Sequence, residues 1–151
     1  MVGHLQTNKV KQAVKIFDLI HSVDSTRLAQ EIDKQAAKIG KTQEILIEVK
    51  TSTEATKFGF LPDETADAVK EISRLKNIKL QGLMTIAPLV TNPEEARPCF
   101  RTLRELRDEI SKLGIWNLEF GILSMGMSDD FEVAIEEGTT MVRIGRAVFE
   151  G

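Results

Sequence analysis

Residues 44–49 read EILIEV, a nearly continuous apolar run that is typical of a strand buried on both faces of a parallel sheet. Four other segments share this character, namely residues 19–23, 78–86, 118–123 and 139–144. Helical patterns alternate with these strands, beginning with residues 8–17, and the strands start about 30 residues apart. This spacing predicts an α/β protein with a parallel sheet. It does not choose between a (β/α)8 barrel and an open, doubly wound sheet.

The helical segments carry their own start signals. Residues 25–39 repeat apolar side chains at helical spacing, and Pro62 and Pro93, each followed by two acidic residues, mark the starts of two further helices. Pro98 lies within the first turns of the second of these, so we expect it to kink that helix or delay its start. Ser128 is expected to cap a short last helix.

The composition is that of a folded domain of 151 residues with a net charge of −3. One cysteine, two histidines and no tyrosine exclude an internal disulfide, a three-histidine metal site and a tyrosine base within this chain. No apolar run approaches the roughly 18 residues of a membrane helix, and residues 1–15 lack the apolar centre of a signal peptide. We therefore expect a cytoplasmic protein with no membrane partner. The acidic balance also argues against nucleic acid as a partner.

Two loops that follow strands carry the groups most suited to a ligand. Residues 124–130 read SMGMSDD, and Gly145 and Arg146 follow the last strand. Hydroxyls, backbone N–H groups near glycines and arginine charge are what a phosphate group needs, so these loops predict a phosphate site. The alternative is purely structural, with Ser128 as a helix cap and the glycines as turn residues.

Arg143 interrupts an otherwise apolar strand and needs a partner if it is buried. That partner is either a ligand or an acidic neighbour such as Glu132 or Asp24. His21, also inside an apolar strand, is expected to be a hydrogen-bonded core residue. Cys99 has no histidine nearby in sequence, which argues against a catalytic thiol.

Lys50 and Lys57 flank residues 51–54, another loop at the carboxyl end of a strand. Either lysine could face a ligand. Lysines in polar loops are more often simply solvated, so both interpretations stay open.

Six motifs occur in an order that is specific to one known family: GHLQTNK (3–9), IHSVDS (20–25), KFG (57–59), GLMTIA (82–87), LSMGMSDDFE (123–132) and VRIGRAVF (142–149). By these motifs the chain resembles the pyridoxal phosphate homeostasis protein family (YggS/PROSC-like), which is related in fold to the N-terminal barrel of alanine racemase. The resemblance spans essentially the whole chain.

The resemblance implies a (β/α)8 TIM-barrel-type fold, alanine racemase N-terminal-like, here truncated to about five β/α units. The lysine that binds the cofactor covalently in the family lies upstream of the motif that begins here at Gly3. We therefore expect residues 1–151 to form a partial barrel domain that lacks the first strands and this lysine. Such a remnant exposes sheet edges, so we expect self-association through them or pairing with a complementary fragment.

The resemblance also implies a pyridoxal 5′-phosphate (PLP) site at the carboxyl ends of the strands. Ser124 and the backbone of Gly145 and Arg146 match the phosphate-binding positions. Arg143 matches the arginine that faces the pyridine nitrogen, and Met84 matches a strand end near the cofactor. A cationic arginine disfavours protonation of the ring and weakens the cofactor as an electron sink. Without the covalent lysine, we expect non-covalent binding of PLP, or of phosphate or sulfate.

Three functions are compatible with these observations. The first is a PLP homeostasis or carrier protein without substrate turnover, and we expect this one. A racemase-like PLP enzyme is the alternative, but that chemistry needs a lysine and a tyrosine as opposing bases, and the chain has no tyrosine. The third is a truncated remnant or interaction fragment that no longer binds PLP covalently.

Overall fold

The computed structural model describes residues 1–52, 58–115 and 120–149, except for the side chain of Ala147. Within these ranges the strands are β1 (Leu19–Val23), β2 (Gln43–Glu48), β3 (Ile78–Met84), β4 (Ile122–Met127) and β5 (Met141–Arg143). The α-helices are α1 (Val10–Ile16), α2 (Thr26–Lys38), α3 (Pro62–Ile72), α4 (Arg97–Ser111), α5 (Phe131–Glu136) and α6 (Arg146–Phe149).

The five strands form one parallel sheet in the order β1-β2-β3-β4-β5. Each β/α unit therefore adds its strand beside the previous one, always in the same direction. A barrel grows in this way, whereas a doubly wound sheet reverses direction at its switch point. The sheet order thus decides what the strand spacing left open: the fold is a five-stranded parallel half-barrel.

Several strand bounds differ from the predicted ones. The strand predicted over residues 78–86 ends at Met84, and the one predicted over 118–123 begins at Ile122 and continues to Met127. Residues 116–119 lie outside the described residues. β4 runs on because Ser124 and Met127 pair with β5, so the first half of the SMGMSDD segment is strand rather than loop. The last strand is shortened to Met141–Arg143. Before it, the hydroxyl of Thr139 donates to the carbonyl oxygens of Leu123 and Met125.

The helices α4 and α5 begin close to residues that the sequence marked as helix starts. Pro98 is the second residue of α4, which follows a 3-10 turn over Pro93–Ala96, so the expected delay of the helix start is observed. The prediction that Ser128 caps the next helix is wrong. Asp130 occupies the cap position of α5, and Ser128 Oγ instead accepts a hydrogen bond from Gly145 N at 3.4 Å.

The hydrophobic core lies between the sheet and the helices. Ile45 and Ile47 of β2 are fully buried in it, with Ile32 of α2, Val69 of α3 and Phe100 of α4. Successive strand residues point to opposite faces, so the intervening residues of β2 lie on the other face, which we call the inner face.

The strand register aligns three inner-face residues in one row. Glu48 of β2 pairs with Met84 of β3, which pairs with Ser124 of β4. This row lies at the carboxyl ends of the strands, where barrels place their ligands.

The backbone of Met1 contacts the outer edge of β1. His21 N donates to the Met1 carbonyl oxygen at 2.9 Å, and the terminal amine donates to the Leu19 carbonyl oxygen. This is the pattern of a parallel strand pair, so one position of that edge is occupied. Among the residues that the structure describes, no helix has the length and apolar character needed to cross a bilayer.

Candidate functional site

Three polar side chains converge on the inner face, and we call them the His–Ser–Arg cluster: His21, Ser124 and Arg143. Ser124 Oγ lies 2.9 Å from His21 Nδ1 and accepts a hydrogen bond from Arg143 Nη1 at 2.7 Å. Arg143 Nη2 donates to the carbonyl oxygen of Thr85 at 2.8 Å. Ser124 is fully buried and His21 is 7% exposed, whereas Arg143 is half-buried. Met84 lies beside Ser124 in the strand register.

Burial controls the charge of the cluster. It lowers the pKa of His21 to about 4, and the positive charges of the chain's N-terminus and Arg143 act in the same direction. His21 is therefore neutral near pH 7. Burial also lowers the pKa of Arg143, against the opposing effect of the negative charges of Asp130 and Glu48. An arginine nevertheless stays cationic in a protein, so the cluster carries one positive charge.

The described residues accept hydrogen bonds from only some of the N–H donors of Arg143. Its partners are the Ser124 hydroxyl and the Thr85 carbonyl, both neutral, rather than the acidic neighbours Glu132 or Asp24 considered from the sequence. Asp24 instead lies 3.2 Å from His4 Nδ1. Arg143 Nε is buried and has no hydrogen-bond partner within the described ranges. A buried donor without an acceptor is costly and rare, which points to an acceptor supplied by a ligand.

The two remaining predicted site residues follow β5 directly. Gly145 N contacts Ser128 Oγ, and Arg146 is the first residue of α6. The guanidinium of Arg146 forms an ion pair with the Asp129 carboxylate at the surface. Its side chain is thus engaged away from the His–Ser–Arg cluster, and its backbone is the part available for an anion.

Gly126 has a packing reason that the sequence did not reveal. Its φ is +93°, and a Cβ atom placed on it would lie 2.7 Å from the Cβ of Ala134 in α5. The glycine therefore allows α5 to approach β4. This contact accounts for it without any anion.

His21 is the residue whose role the sequence did not predict in full. It is a buried, hydrogen-bonded residue as expected, but its partner is Ser124, which makes it part of the candidate site. The alternation of side chains along a strand could have predicted the face on which His21 lies. Ile20 faces the helices, so the next residue, His21, faces the inner side. Lys57 lies outside the described residues. No group of three or more His, Cys, Asp or Glu side chains within residues 1–52, 58–115 and 120–149 is placed to hold a metal ion.

A parallel half-barrel with a cationic polar cluster at the carboxyl ends of its strands defines a barrel-type α/β protein with a candidate site for an anionic small molecule. The chain belongs to the family described as alanine racemase, N-terminal domain, whose family model matches residues 1–151. The resemblance drawn from the six motifs is confirmed, because curated relatives that match nearly the whole chain are named pyridoxal phosphate homeostasis proteins.

One such relative, from Aquifex aeolicus, is 51% identical over 148 residues. The match covers 98% of this chain and 64% of the relative, so the chain spans less than two thirds of that protein's length. PipY of Synechococcus elongatus has been solved with PLP bound and is 36% identical, with a TM-score of 0.90. That match covers 99% of this chain and 68% of PipY.

A solved alanine racemase from Clostridium difficile matches with a TM-score of 0.79 at 19% identity, covering 95% of this chain and 37% of the racemase. At that identity the likeness concerns the fold alone. It supports the assignment of the five strands to a barrel of the alanine racemase N-terminal type.

Proposed function

We propose that this chain is a PLP-binding protein of the homeostasis or carrier type that does not turn over a substrate. The observation that carries the proposal is the buried Arg143 Nε, a donor without an acceptor among the described residues. An unprotonated pyridine nitrogen is an acceptor and not a donor, so it fits this position. The relatives' name and the PLP-bound structure of PipY support the same ligand.

The donors of this face suit each part of the cofactor. Ser124 and the backbone N–H groups of Gly145 and Arg146 would hold the phosphate, Arg143 the pyridine nitrogen, and Met84 would lie near the ring. Bound PLP supplies a reactive aldehyde and an electron-withdrawing ring. Arg143 keeps its proton and thereby keeps the ring nitrogen unprotonated, which suits storage of the cofactor better than catalysis.

His21 would act as a positioning residue through Ser124. The Ser124 oxygen already accepts a hydrogen bond from Arg143. The single hydroxyl proton of Ser124 can therefore be donated in a hydrogen bond either to His21 Nδ1 or to a ligand oxygen. When His21 carries its proton on Nδ1, it donates to Ser124 and leaves the serine proton free for phosphate. Phosphate binding would therefore favour the Nδ1-protonated tautomer of neutral His21.

The absence of turnover is part of the proposal. The relatives are named homeostasis proteins, and this chain has no tyrosine to serve as the second base of a racemase. We further propose that residues 1–151 are a partial barrel domain without the first strands and the covalent lysine, that the protein is cytoplasmic, and that phosphate or sulfate competes with PLP.

The test is equilibrium dialysis of PLP against this chain, followed by borohydride reduction and peptide mapping. We expect non-covalent binding that inorganic phosphate displaces, weakened at least about tenfold by either Arg143→Met or Ser124→Ala, because each removes a hydrogen bond in which one of the two partners is charged. Arg107→Met, at a surface ion pair with Asp108, is the matched control and leaves binding unchanged. Equal binding by all variants, or a reduced adduct on one specific lysine, would contradict the proposal.

We also propose that the chain self-associates through its sheet edges. Within the described residues β5 has one strand neighbour, and β1 has beyond β2 only the short contact with Met1. Unpaired parallel edges are templates for further strands. Light scattering over a range of concentrations should give a mass above that of one chain. A folded monomer at every concentration would rule out this part.

A further inference from the structure

Thr85 lies between the carboxyl end of β2 and the His–Ser–Arg cluster. It follows Met84, the last residue of β3, and is 1% exposed. Its carbonyl oxygen accepts the hydrogen bond from Arg143 Nη2 at 2.8 Å, and its N–H donates to the carbonyl oxygen of Ser124 at 3.1 Å. Thr85 therefore contacts two members of the cluster through its backbone, and its side chain takes part in neither contact.

The Thr85 hydroxyl is bound to the segment that follows β2. Thr85 Oγ1 donates to the carbonyl oxygen of Val49 at 2.8 Å and lies 2.8 Å from Thr51 Oγ1. A hydroxyl has a single proton, so Thr85 accepts the second hydrogen bond and Thr51 donates it. The hydroxyl thus attaches Thr85 to the backbone of the neighbouring strand segment.

This attachment restricts the direction of the Thr85 carbonyl group. The residue lies beyond the last residue of β3, where its N–H is held by Ser124 and its side chain by Val49. A β-branched side chain is stiff at χ1, and the rotamers open to it depend on φ and ψ. Because the hydrogen bond to Val49 holds one rotamer, it also limits the rotation of the backbone that carries the carbonyl oxygen.

The carbonyl direction in turn sets the orientation of Arg143. A guanidinium is a rigid planar fork, so its plane is fixed once Nη1 is bound to Ser124 and Nη2 to Thr85. The direction of the buried Nε–H, which has no acceptor among the described residues, is then fixed as well. A hydrogen bond weakens steeply when the donor is turned away from the acceptor. Recognition by Nε therefore depends on this anchoring.

We propose that the Thr85 hydroxyl is a positioning group that aims Arg143 Nε at a ring nitrogen and so makes the site prefer nitrogen-containing rings. The inference rests on the PLP-binding function proposed above, and it concerns the recognition of the ring rather than of the phosphate. Loss of the hydroxyl should weaken the preference for a ring nitrogen and leave phosphate binding unchanged.

The test uses two ligands that differ in one ring atom. 3-Pyridylmethyl phosphate carries its nitrogen and its phosphate in the same relative positions as PLP, and benzyl phosphate has C–H in place of the nitrogen. In calorimetric titrations we expect the unchanged chain to bind the pyridyl compound about tenfold more tightly, because the nitrogen accepts a hydrogen bond from a charged group. Thr85→Val should lower this ratio at least about threefold, because a misdirected donor loses much of that hydrogen bond, while the affinity for benzyl phosphate stays unchanged.

Two further variants separate positioning from a general loosening of the fold. Thr85→Ser keeps the hydroxyl and should keep the preference. Thr51→Val removes the neighbouring hydroxyl but leaves the hydrogen bond between Thr85 and Val49, so it should also keep the preference. An equal loss of affinity for both ligands in Thr85→Val, or the same loss of preference in Thr51→Val, would overturn the role of Thr85.

The outcome for the unchanged chain distinguishes this inference from the proposed function. If the unchanged chain does not bind PLP in equilibrium dialysis, the proposed function fails and the role of Thr85 fails with it. If PLP binds and Thr85→Val retains the full preference for the ring nitrogen, only the role of Thr85 is refuted.

Discussion

Two charged clusters within the described residues are built on opposite principles. In the first, the Glu137 cluster, a carboxylate that is 4% exposed lies between α4 and α5 and accepts hydrogen bonds from Arg97, Arg101 and Arg104 at 3.2, 3.1 and 2.7 Å. In the second, the His–Ser–Arg cluster, the half-buried cation of Arg143 is hydrogen-bonded to neutral groups, and its buried Nε has no partner among the described residues. The first arrangement is complete without a ligand, and the second is not.

The pKa values show the same contrast. Burial raises the pKa of Glu137, but hydrogen bonds from Arg101 and Arg97 outweigh it, so that the pKa lies below its usual range. For His21, burial is the largest cause of the lowered pKa, and the nearby positive charges lower the pKa further. A cluster that stabilises the fold thus compensates its buried charge. The His–Ser–Arg cluster leaves the charge of Arg143 uncompensated within the described residues.

The largest expected difference between the clusters is in stability. Glu137→Gln should lower the free energy of unfolding by about 2 kcal/mol, because three arginines lose their shared carboxylate. Arg143→Met should change it by less than about 1 kcal/mol, because it replaces a half-buried, incompletely paired cation with an apolar side chain. Urea denaturation measures both.

Glu136→Gln is the matched control for this comparison. Glu136 is an exposed neighbour that contacts only Arg97 among the described arginines, so its loss should cost much less than that of Glu137. Equal costs for Glu137→Gln and Arg143→Met would show that the two clusters do not differ as described.

A smaller expected effect concerns pH. The contributions of the two clusters to the stability of the protein should fall in different pH ranges. Between pH 6.5 and about 4, His21 takes up a proton in the unfolded chain but not in the folded one, so its contribution to stability falls as the pH falls through this range. The contribution of Glu137 is present above its unfolded pKa of 4.5 and is lost as the pH falls below that value. Urea midpoints measured from pH 7 to pH 3.5 resolve the two ranges.

Substitutions assign each range to its residue. His21→Gln should flatten the decline between pH 6.5 and 4 and leave the decline at lower pH, whereas Glu137→Gln should do the reverse. If His21→Gln leaves the upper range unchanged, His21 is not held neutral by burial.

Much of the fold was predictable because its signals are local. The five strands, their parallel direction and the helix starts at Pro62 and Pro93 depend on short-range patterns. The carboxyl-end rule and the family motifs also pointed to Ser124, Met84 and Arg143, which the structure brings onto one face.

The rest depended on contacts between distant residues. Tertiary packing sets the sheet order and the 2.9 Å contact of His21 with Ser124. It also decides that Asp130, and not the predicted Ser128, occupies the cap position of α5. No local pattern distinguishes a helix-capping serine from one that contacts a backbone amide of a later loop. Period-two alternation gave the face on which His21 lies, but not its partner.

The contact between Gly126 and Ala134 has a mechanical consequence. α5 has only six residues; its Ala134 packs against Gly126, two residues after Ser124, and its carboxyl end leads directly to Glu137. With no free space between strand and helix, a larger side chain at position 126 would push α5 away from β4. The Glu137 ion pairs and the Ser124 hydroxyl thus adjoin the same close contact between a strand and a helix.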